Sequence, residues 1–298
     1  MGTHMATLGN LEDSQLSRIL MAQRNEITEY RVYDRLSRSA RDSRNRDLLK
    51  RISAEELEHY DFWKGHTGKE LKPRRWMVWK YTIIARLLGL TFGIKLMEKG
   101  EERAQVTYEQ IATFFPPASR IMEDEIEHER HLIGLMNEEK LKYVGSIVLG
   151  LNDALVELTG ALAGLTLALQ NTRLVAVAGL ITGIAASLSM GASEYLSTRA
   201  EDTARTPLKA SIYTGLAYLV TVLFLVFPYL VFEYYYLCLA VTLFNAIVVI
   251  LIFTFYVSVV KDIPFVKRFV EMAVISLGIA AFTFGLGFAV RQFMGIEV

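Results

Sequence analysis

The sequence has a single cysteine, Cys238, which lies in an apolar run and has no second thiol with which to form a disulfide. Cysteine usage therefore does not indicate a redox compartment. The formal net charge is zero, and each half of the chain is balanced as well. The sequence thus lacks a basic stripe of the kind that releases counterions from a nucleic-acid backbone, and we expect no nucleic-acid partner.

Proline is scarce in the first part of the chain, and strand-like alternation of apolar residues is lacking there. Residues 13–140 contain only Pro73, Pro116 and Pro117, and the apolar residues follow a helical period. We therefore predict a soluble all-α domain over this range, with a last helix that continues into the next domain. Its helices are predicted at Ser14–Ser39, Ser43–Gly65, Arg75–Phe114 and Ala118–Lys140.

Charged residues become rare after Lys140, where apolar runs of about 20 residues recur, long enough to cross roughly 30 Å of hydrocarbon. These runs predict a membrane domain over residues 141–298. The fold class is therefore all-α, with an N-terminal four-helix bundle followed by five membrane spans. The spans are predicted at Tyr143–Leu169, Leu174–Leu196, Leu208–Phe227, Tyr235–Val260 and Phe269–Phe293.

The start of the chain and the charges near the ends of the spans predict on which side of the membrane the bundle lies. Residues 1–5 resemble an expression-vector remnant, residues 1–12 are expected to be disordered, and no signal peptide follows. Lysine and arginine are retained on the cytoplasmic side of a membrane. A cytoplasmic N-terminus leaves only Arg173 and Arg291 outside. It places these cations inside: Arg199, Arg205, Lys209, Lys261, Lys267 and Arg268.

The first two predicted spans carry acidic side chains, which are costly at mid-bilayer unless they face protein or water. Asp153 and Glu157 are spaced i,i+4 and so share one face of the first span. Met190 and Glu194 repeat this spacing in the second. Carboxylate oxygen together with thioether sulfur favours iron or manganese over magnesium or calcium, and we predict that these four residues line a cation path.

Simpler alternatives exist for part of this set. Met190 is also explained by packing, and Glu194 by a side chain that reaches the headgroup region near the end of its span. Small-xxx-small pairs permit close helix approach, which favours a narrow pore at a dimer axis or ordinary packing. These pairs are Gly160 with Gly164 and Gly179 with Gly183.

Two motifs in these spans resemble the vacuolar iron transporter family. They are Gly-Leu-Asn-Asp-Ala-Leu-Val-Glu at 150–157 and Ser-Met-Gly-Ala-Ser-Glu-Tyr-Leu-Ser at 189–197, and the five-span count fits as well. The resemblance implies a homodimer, export of ferrous iron from the cytosol in exchange for protons, and transport roles for Asp153 and Met190. The sequence departs from plant members, which insert a long acidic metal-binding segment between spans two and three.

The bundle contains an internal repeat with metal-ligand spacing. Glu55-Glu-Leu-Glu-His59 returns as Asp124-Glu-Ile-Glu-His128, so that each copy holds a Glu-x-x-His motif, and a glutamate precedes each copy seven residues before a tyrosine. This order is the ligand set of two-metal carboxylate bundles, in which carboxylates and imidazoles neutralise two divalent ions. The predicted ligands are Glu26, Glu56, His59, Glu101, Glu125 and His128.

Weaker candidates surround this set: Glu29, Glu55, Glu58, Glu127 and His131. The pattern resembles the rubrerythrin branch of the ferritin-like superfamily, and its union with five transporter spans resembles the bacterial membrane-bound ferritins. The resemblance implies that the six predicted ligands bind iron. Ala104 stands where rubrerythrins have a further carboxylate, and the chain has no cysteine-rich rubredoxin module, which argues against peroxidase chemistry.

The segment from Trp76 to Met97 is strongly apolar but is interrupted by Lys80, Arg86 and Lys95. We do not predict a sixth span here. Two tryptophans and several cations favour a helix that rests on the membrane surface or on a second bundle.

The sequence thus leads to two hypotheses of different classes. The first is a ferrous iron exporter in a bacterial or archaeal cell membrane, which uses metal cations and protons and carries a cytoplasmic iron-binding bundle. The second is a membrane-tethered di-iron ferroxidase or peroxide-scavenging enzyme. A manganese exporter uses the same ligands, and zinc also fits the bundle site.

Overall fold

The computed structural model describes residues 12–40, 42–134, 142–201 and 205–294, without the side chains of residues 98, 100–107, 129–134 and 294. Every regular element in these ranges is helical, which confirms the predicted all-α class. The chain divides into two compact units, Met1–Glu138 and Glu139–Val298.

The described residues of the first unit form five helices, which fit a bundle. Helix α2 begins at the cap residue Asp42, whose side chain accepts a hydrogen bond from the backbone of Asn45, and ends at Gly68 in a left-handed conformation. Helix α1 packs along α2 and against α3, and α4 packs against α5. The helices are α1 (Asp13–Ser39), α2 (Ser43–Thr67), α3 (Arg75–Leu88), α4 (Leu90–Phe114) and α5 (Ala118–Gly134).

The prediction of one continuous helix from Arg75 to Phe114 is wrong. The helix is interrupted at Gly89, whose φ of 106° lies in a region that side-chain-bearing residues rarely adopt. Beyond the break, Gly93 lies so close to Ala85 that a Cβ at residue 93 would come within 2.5 Å of the Ala85 Cβ. The chain therefore bends tightly at this point, and α3 and α4 are separate helices.

Two apolar clusters lie at different levels of the bundle. One contains Val32 and Tyr33 of α1 and Ile52 of α2, and the other contains Ile19 of α1 and Trp63 of α2. The predicted ligands of both helices fall between these levels in the sequence. The predicted ligand side chains thus lie between two apolar layers, which lowers the local dielectric and strengthens their interactions with charge.

In the described part of the second unit, five helices are each long and apolar enough to cross a membrane, which confirms the predicted number of spans. They are α6 (Val144–Leu169), α7 (Thr172–Ala200), α8 (Pro207–Val231), α9 (Tyr235–Lys261) and α10 (Phe265–Met294). Helix α7 packs along α8, and α6 packs against α8 and α10. The protein is accordingly a multi-pass membrane protein.

Helix α6 contains a π-helical turn over Ala154–Leu158, immediately after Asp153. Such turns interrupt the regular pattern of helical hydrogen bonds and occur frequently at functional sites. Helix α10 supplies hydroxyl donors along this part of α6. The Oγ of Ser276 donates to the Leu155 carbonyl at 2.7 Å, and the Oγ1 of Thr283 donates to the Gly160 carbonyl at 2.6 Å.

The glycine pairs in the first two spans pack within the chain. A Cβ at Gly164 would lie 2.9 Å from the carbonyl oxygen of Thr283 in α10, and a Cβ at Gly183 would lie 2.5 Å from a methyl of Val222 in α8. Of the two alternatives drawn from the sequence, the described residues therefore favour ordinary packing between neighbouring spans over a pore at a dimer axis.

Gly287 allows a close approach of α10 to α6. A Cβ at this residue would collide with the backbone carbonyl of Gly164, whereas a Cβ at Gly285 would meet nothing within 4 Å. We expect Gly287→Ala to destabilise the membrane unit by about 1–3 kcal/mol, because the backbones must separate. Thermal unfolding of the detergent-solubilised protein measures the effect.

Gly285→Ala is the matched control on the same helix. It gains helix propensity without a clash, so its midpoint should equal or slightly exceed that of the unmodified protein. Equal midpoints for the two variants would contradict the close contact.

Candidate functional site

Five of the six predicted bundle ligands converge in the structure. Glu26 lies on α1, Glu56 and His59 on α2, and Glu125 and His128 on α5, and all five side chains are buried. One ligand atom from each of Glu26, Glu56, His59 and Glu125 lies within 4.8 Å of the others. The Nδ1 of His128 completes the group, 3.3 Å from Glu56 Oε1 and 3.7 Å from Glu125 Oε2.

The potential ligand atoms of this cluster face one another without hydrogen bonds. Within the described residues, the Nδ1 atoms of His59 and His128 are buried and make none, and the same holds for one oxygen each of Glu26, Glu56 and Glu125. Buried polar atoms without partners are costly and rare. Since carboxylate oxygens and imidazole nitrogens are ligands of divalent transition metals, the cluster fits a bound metal ion.

The other nitrogen of each imidazole is held by a carboxylate from the opposite repeat. His59 Nε2 lies 3.2 Å from Asp124 Oδ2, and His128 Nε2 lies 2.7 Å from Glu55 Oε2. A donated Nε2 hydrogen fixes the ring so that Nδ1 presents its lone pair to the cluster. Glu55 and Asp124 precede Glu56 and Glu125, so each repeat positions the histidine of the other.

The electrostatics of the cluster favour positive charge at its centre. Burial raises the pKa of Glu56 well above its ordinary value, and the charges of Glu125 and Glu26 raise it further. Burial alone would lower the pKa of His59, but the nearby carboxylates of Glu125 and Glu26 outweigh it and raise the pKa to about 11. The positive charge is carried by protons or by a cation that replaces them.

A tyrosine and a further carboxylate adjoin the cluster. The hydroxyl of Tyr108 donates a hydrogen bond to Glu26, and the ring of Trp63 stacks on Tyr108 with centroids 6.3 Å apart. Burial and the charges of Glu26 and Glu125 raise the pKa of Glu29 well above its ordinary value. Tyr33, by contrast, belongs to an apolar cluster.

The remaining candidate residues either line a cavity at the rim of the cluster or have side chains outside the described residues. A cavity of about 430 Å³ opens beside the two histidines, and Glu58 and Glu127 line it together with Glu55 and Asp124. The backbone of Glu101 lies in α4, but its side chain falls outside the described residues, as does that of His131.

The acidic residues of the first span are only partly enclosed. Glu157 is exposed on the isolated chain and Asp153 is half-buried. The hydroxyl of Tyr218 on α8 donates to Glu157 Oε2 at 3.0 Å. Sequence reasoning did not select Tyr218, although a polar residue within an apolar span was a visible signal.

The second span places its two candidates in different surroundings. Met190 packs against the apolar core of the membrane unit. Glu194 is buried, accepts a hydrogen bond from Ser146 at 2.6 Å and lies 3.4 Å from the guanidinium of Arg205. A hydroxyl and a guanidinium thus offset the charge of this carboxylate inside the protein.

The four predicted path residues do not form one ligand group within a chain. Among the described residues, the only convergent set of acidic or histidine ligands is the one in the bundle. Glu157 and Glu194 instead have separate partners, Tyr218 and Arg205.

These features define a multi-pass membrane protein whose N-terminal unit contains a buried carboxylate and histidine cluster able to bind a metal ion. Comparison with protein families adds one match: a family model described as the VIT family, the vacuolar iron transporters, matches residues 144–206. The match covers α6 and α7 and includes all four predicted path residues. It supports the resemblance for the membrane domain and a role in metal-ion transport. Comparison with curated proteins gives no match for the chain.

Asp124 offers a test of the metal site that leaves the ligands themselves intact. We expect Asp124→Asn to weaken binding of ferrous or manganous ion by roughly 10- to 100-fold, because the His59 ring loses the carboxylate that orients it. Equilibrium metal titration of the full chain measures the affinity. The exposed Asp61 on α2 provides the control: Asp61→Asn should bind as the unmodified protein does, and equal affinities for both variants would contradict the role of Asp124.

Proposed function

We propose that the protein exports ferrous iron from the cytoplasm across a bacterial or archaeal cell membrane by exchange for protons. The observation that carries this proposal is the coincidence of the VIT family match with the intramembrane acidic residues of α6 and α7. Carboxylates within a span are expensive and mark ion or proton pathways. In this proposal Asp153 and Glu157 bind the ion in transit and exchange it for protons.

The position of Glu157 supports a homodimer. On the isolated chain this carboxylate is exposed on a membrane-spanning helix, where contact with lipid tails would be costly. A second copy that places its own α6 opposite would enclose the acidic face of both chains. The path for the ion then runs between two copies of Asp153 and Glu157, which explains why a single chain gathers no complete ligand group there.

The arrangement at Glu194 fits a closed cytoplasmic end of the path. Arg205 lies 3.4 Å from Glu194 and 2.6 Å from Glu201, so its guanidinium neutralises carboxylates that would otherwise attract a cation. Arg199 at the end of α7, Arg205 in the following turn and Lys209 at the start of α8 suit the cytoplasmic side, and the bundle then lies in the cytoplasm as well. In this proposal the bundle, a ferritin-like domain over residues 13–140, binds ferrous iron through the cluster of Glu26, Glu56, His59, Glu125 and His128, with Glu101 as the sixth ligand.

Asp153 is the decisive residue for transport. We expect Asp153→Asn to reduce ferrous iron uptake into inverted vesicles by at least about tenfold, because the neutral amide cannot offset the charge of the ion. The exposed Glu233, in the turn between α8 and α9, supplies the control, and Glu233→Gln should transport normally. Undiminished uptake by Asp153→Asn would remove this residue from the mechanism.

A second function is favoured by the contact between Tyr108 and Glu26. A tyrosine that is hydrogen-bonded to a predicted ligand and stacked on Trp63 is suited to oxidation chemistry. In this alternative the bundle is a ferroxidase or peroxide-scavenging enzyme that the spans tether to the membrane. A manganese exporter remains the alternative within the transporter class, and metal competition in the vesicle assay distinguishes it.

Disrupting the bundle cluster separates transport from oxidation. If the bundle collects ions for export, Glu56→Gln should raise the iron concentration for half-maximal uptake by about tenfold while maximal uptake persists, since a buried ligand is lost. Stopped-flow absorbance of the same variant measures iron oxidation. Rapid oxidation by the unmodified protein that Glu56→Gln abolishes, with no iron accumulated in vesicles by either protein, would favour the enzyme.

A further inference from the structure

The outer face of α3 is unusually apolar for a soluble bundle. Its inner face packs into the bundle through Val78, Tyr81 and Ala85. On the outer face, Trp76 is 68% exposed and Trp79 is 52% exposed, and their rings stack with centroids 5.2 Å apart. Leu87 and Leu88, at the end of the same helix, are exposed as well. Exposed apolar surface of this extent marks an interaction site.

A cationic groove adjoins the two tryptophans. It is lined by side chains of α1, of the segment before α3 and of α3 itself, and five of them are cations: Arg31, Arg35, Arg38, Lys72 and Arg75. Its one carboxylate, Asp34, is already engaged by Arg38 in hydrogen bonds of 2.8–3.0 Å to both oxygens. The groove therefore has an excess of positive charge that is not neutralised from within.

Stacked tryptophans beside arginine and lysine have the composition of a surface that lies at a membrane interface. Indole rings are enriched at the level of the lipid headgroups, where one edge is apolar and the other is hydrated. Cations attract the negative surface of a leaflet that contains anionic lipid. The helix α3 itself has cations but no acidic residue in Arg75–Leu88, so it presents nothing that such a surface would repel.

The short segment between the bundle and the first span keeps the bundle near the membrane surface. Helix α5 ends at Gly134 and the first span begins at Val144, and ten residues extend at most about 35 Å. The bundle is thus tethered beside the leaflet from which its span emerges, at a high effective concentration. Weak interactions per side chain are sufficient under these conditions.

We propose that the surface formed by Trp76, Trp79, Arg31, Arg35 and Arg75 docks the bundle on the anionic lipid headgroups of that leaflet. The tryptophans insert at the headgroup level, and the arginines bind lipid phosphates. Docking of this kind restricts the orientation of the bundle relative to the membrane, and it does not depend on which ion the spans carry.

Tryptophan fluorescence tests this proposal, because Trp63, Trp76 and Trp79 are the three tryptophans of the sequence and none lies in a span. The full chain is reconstituted in nanodiscs whose lipid carries bromine near the headgroup, a quencher that acts only at contact. With phosphatidylglycerol present, we expect emission to fall by up to about two-thirds, the share of two tryptophans in three. Phosphatidylcholine alone, or high salt, should restore most of it.

Matched variants identify the residues responsible. Arg31→Glu with Arg35→Glu should abolish quenching by anionic lipid, whereas Arg44→Glu with Lys50→Glu, on the exposed side of α2, should leave it unchanged. Trp76→Phe with Trp79→Phe should leave only the emission of the buried Trp63, which brominated lipid does not reach.

Other outcomes would overturn the proposal. Absence of quenching in both lipid compositions would do so. If the two tryptophans are also shielded from acrylamide in detergent, the surface is instead an interface between bundles. Quenching that is indifferent to anionic lipid and to salt would exclude the arginines as the docking groups.

Discussion

An ionised carboxylate is stable away from water only where a cation, a proton or a hydrogen-bond donor offsets the loss of hydration. This constraint governs both units of the chain. In the bundle, Glu26, Glu56 and Glu125 are buried together beside two imidazoles, in a cluster that fits a bound cation. In the membrane unit, Glu157 meets a tyrosine hydroxyl and Glu194 an arginine. Each of these acidic residues thus requires a partner, and the contact with that partner helps to determine how the helices pack.

Most of the fold could be predicted from the sequence because helices are encoded by local patterns of apolar residues. Apolar runs of the length of a bilayer predicted the five spans, and the Glu-x-x-His repeat predicted two ligands on one helical face in each copy. The break at Gly89 was missed, since an isolated glycine within an apolar pattern is compatible with a continuous helix. Only the packing of Gly93 against Ala85 shows why the chain turns there.

The site was predicted less completely, because its supporting contacts depend on tertiary structure. Asp124 and Glu55 were visible as the residues before the predicted ligands, but their pairing with the histidine of the opposite repeat follows from the crossing of α2 and α5. Tyr218 is 61 residues away from Glu157, and Arg205 lies beyond the end of α7, so neither contact could be predicted from spacing within one span. The small-residue pairs indicated close helix packing, but their spacing could not identify α8 and α10 as the partners.

The π-helical turn in the first span divides that helix into two segments of different orientation. Each residue advances an α-helix by about 100°, so one extra residue in a turn rotates everything beyond it by that angle. The direction of the acidic face at Asp153 is therefore set independently of the direction of the glycine face at Gly160 and Gly164, although both lie on one membrane span. Deleting one residue from Ala154–Leu158 would rotate either the glycine face away from α10 or the acidic face away from its outward direction. The number of residues in this turn therefore determines the direction in which Asp153 faces.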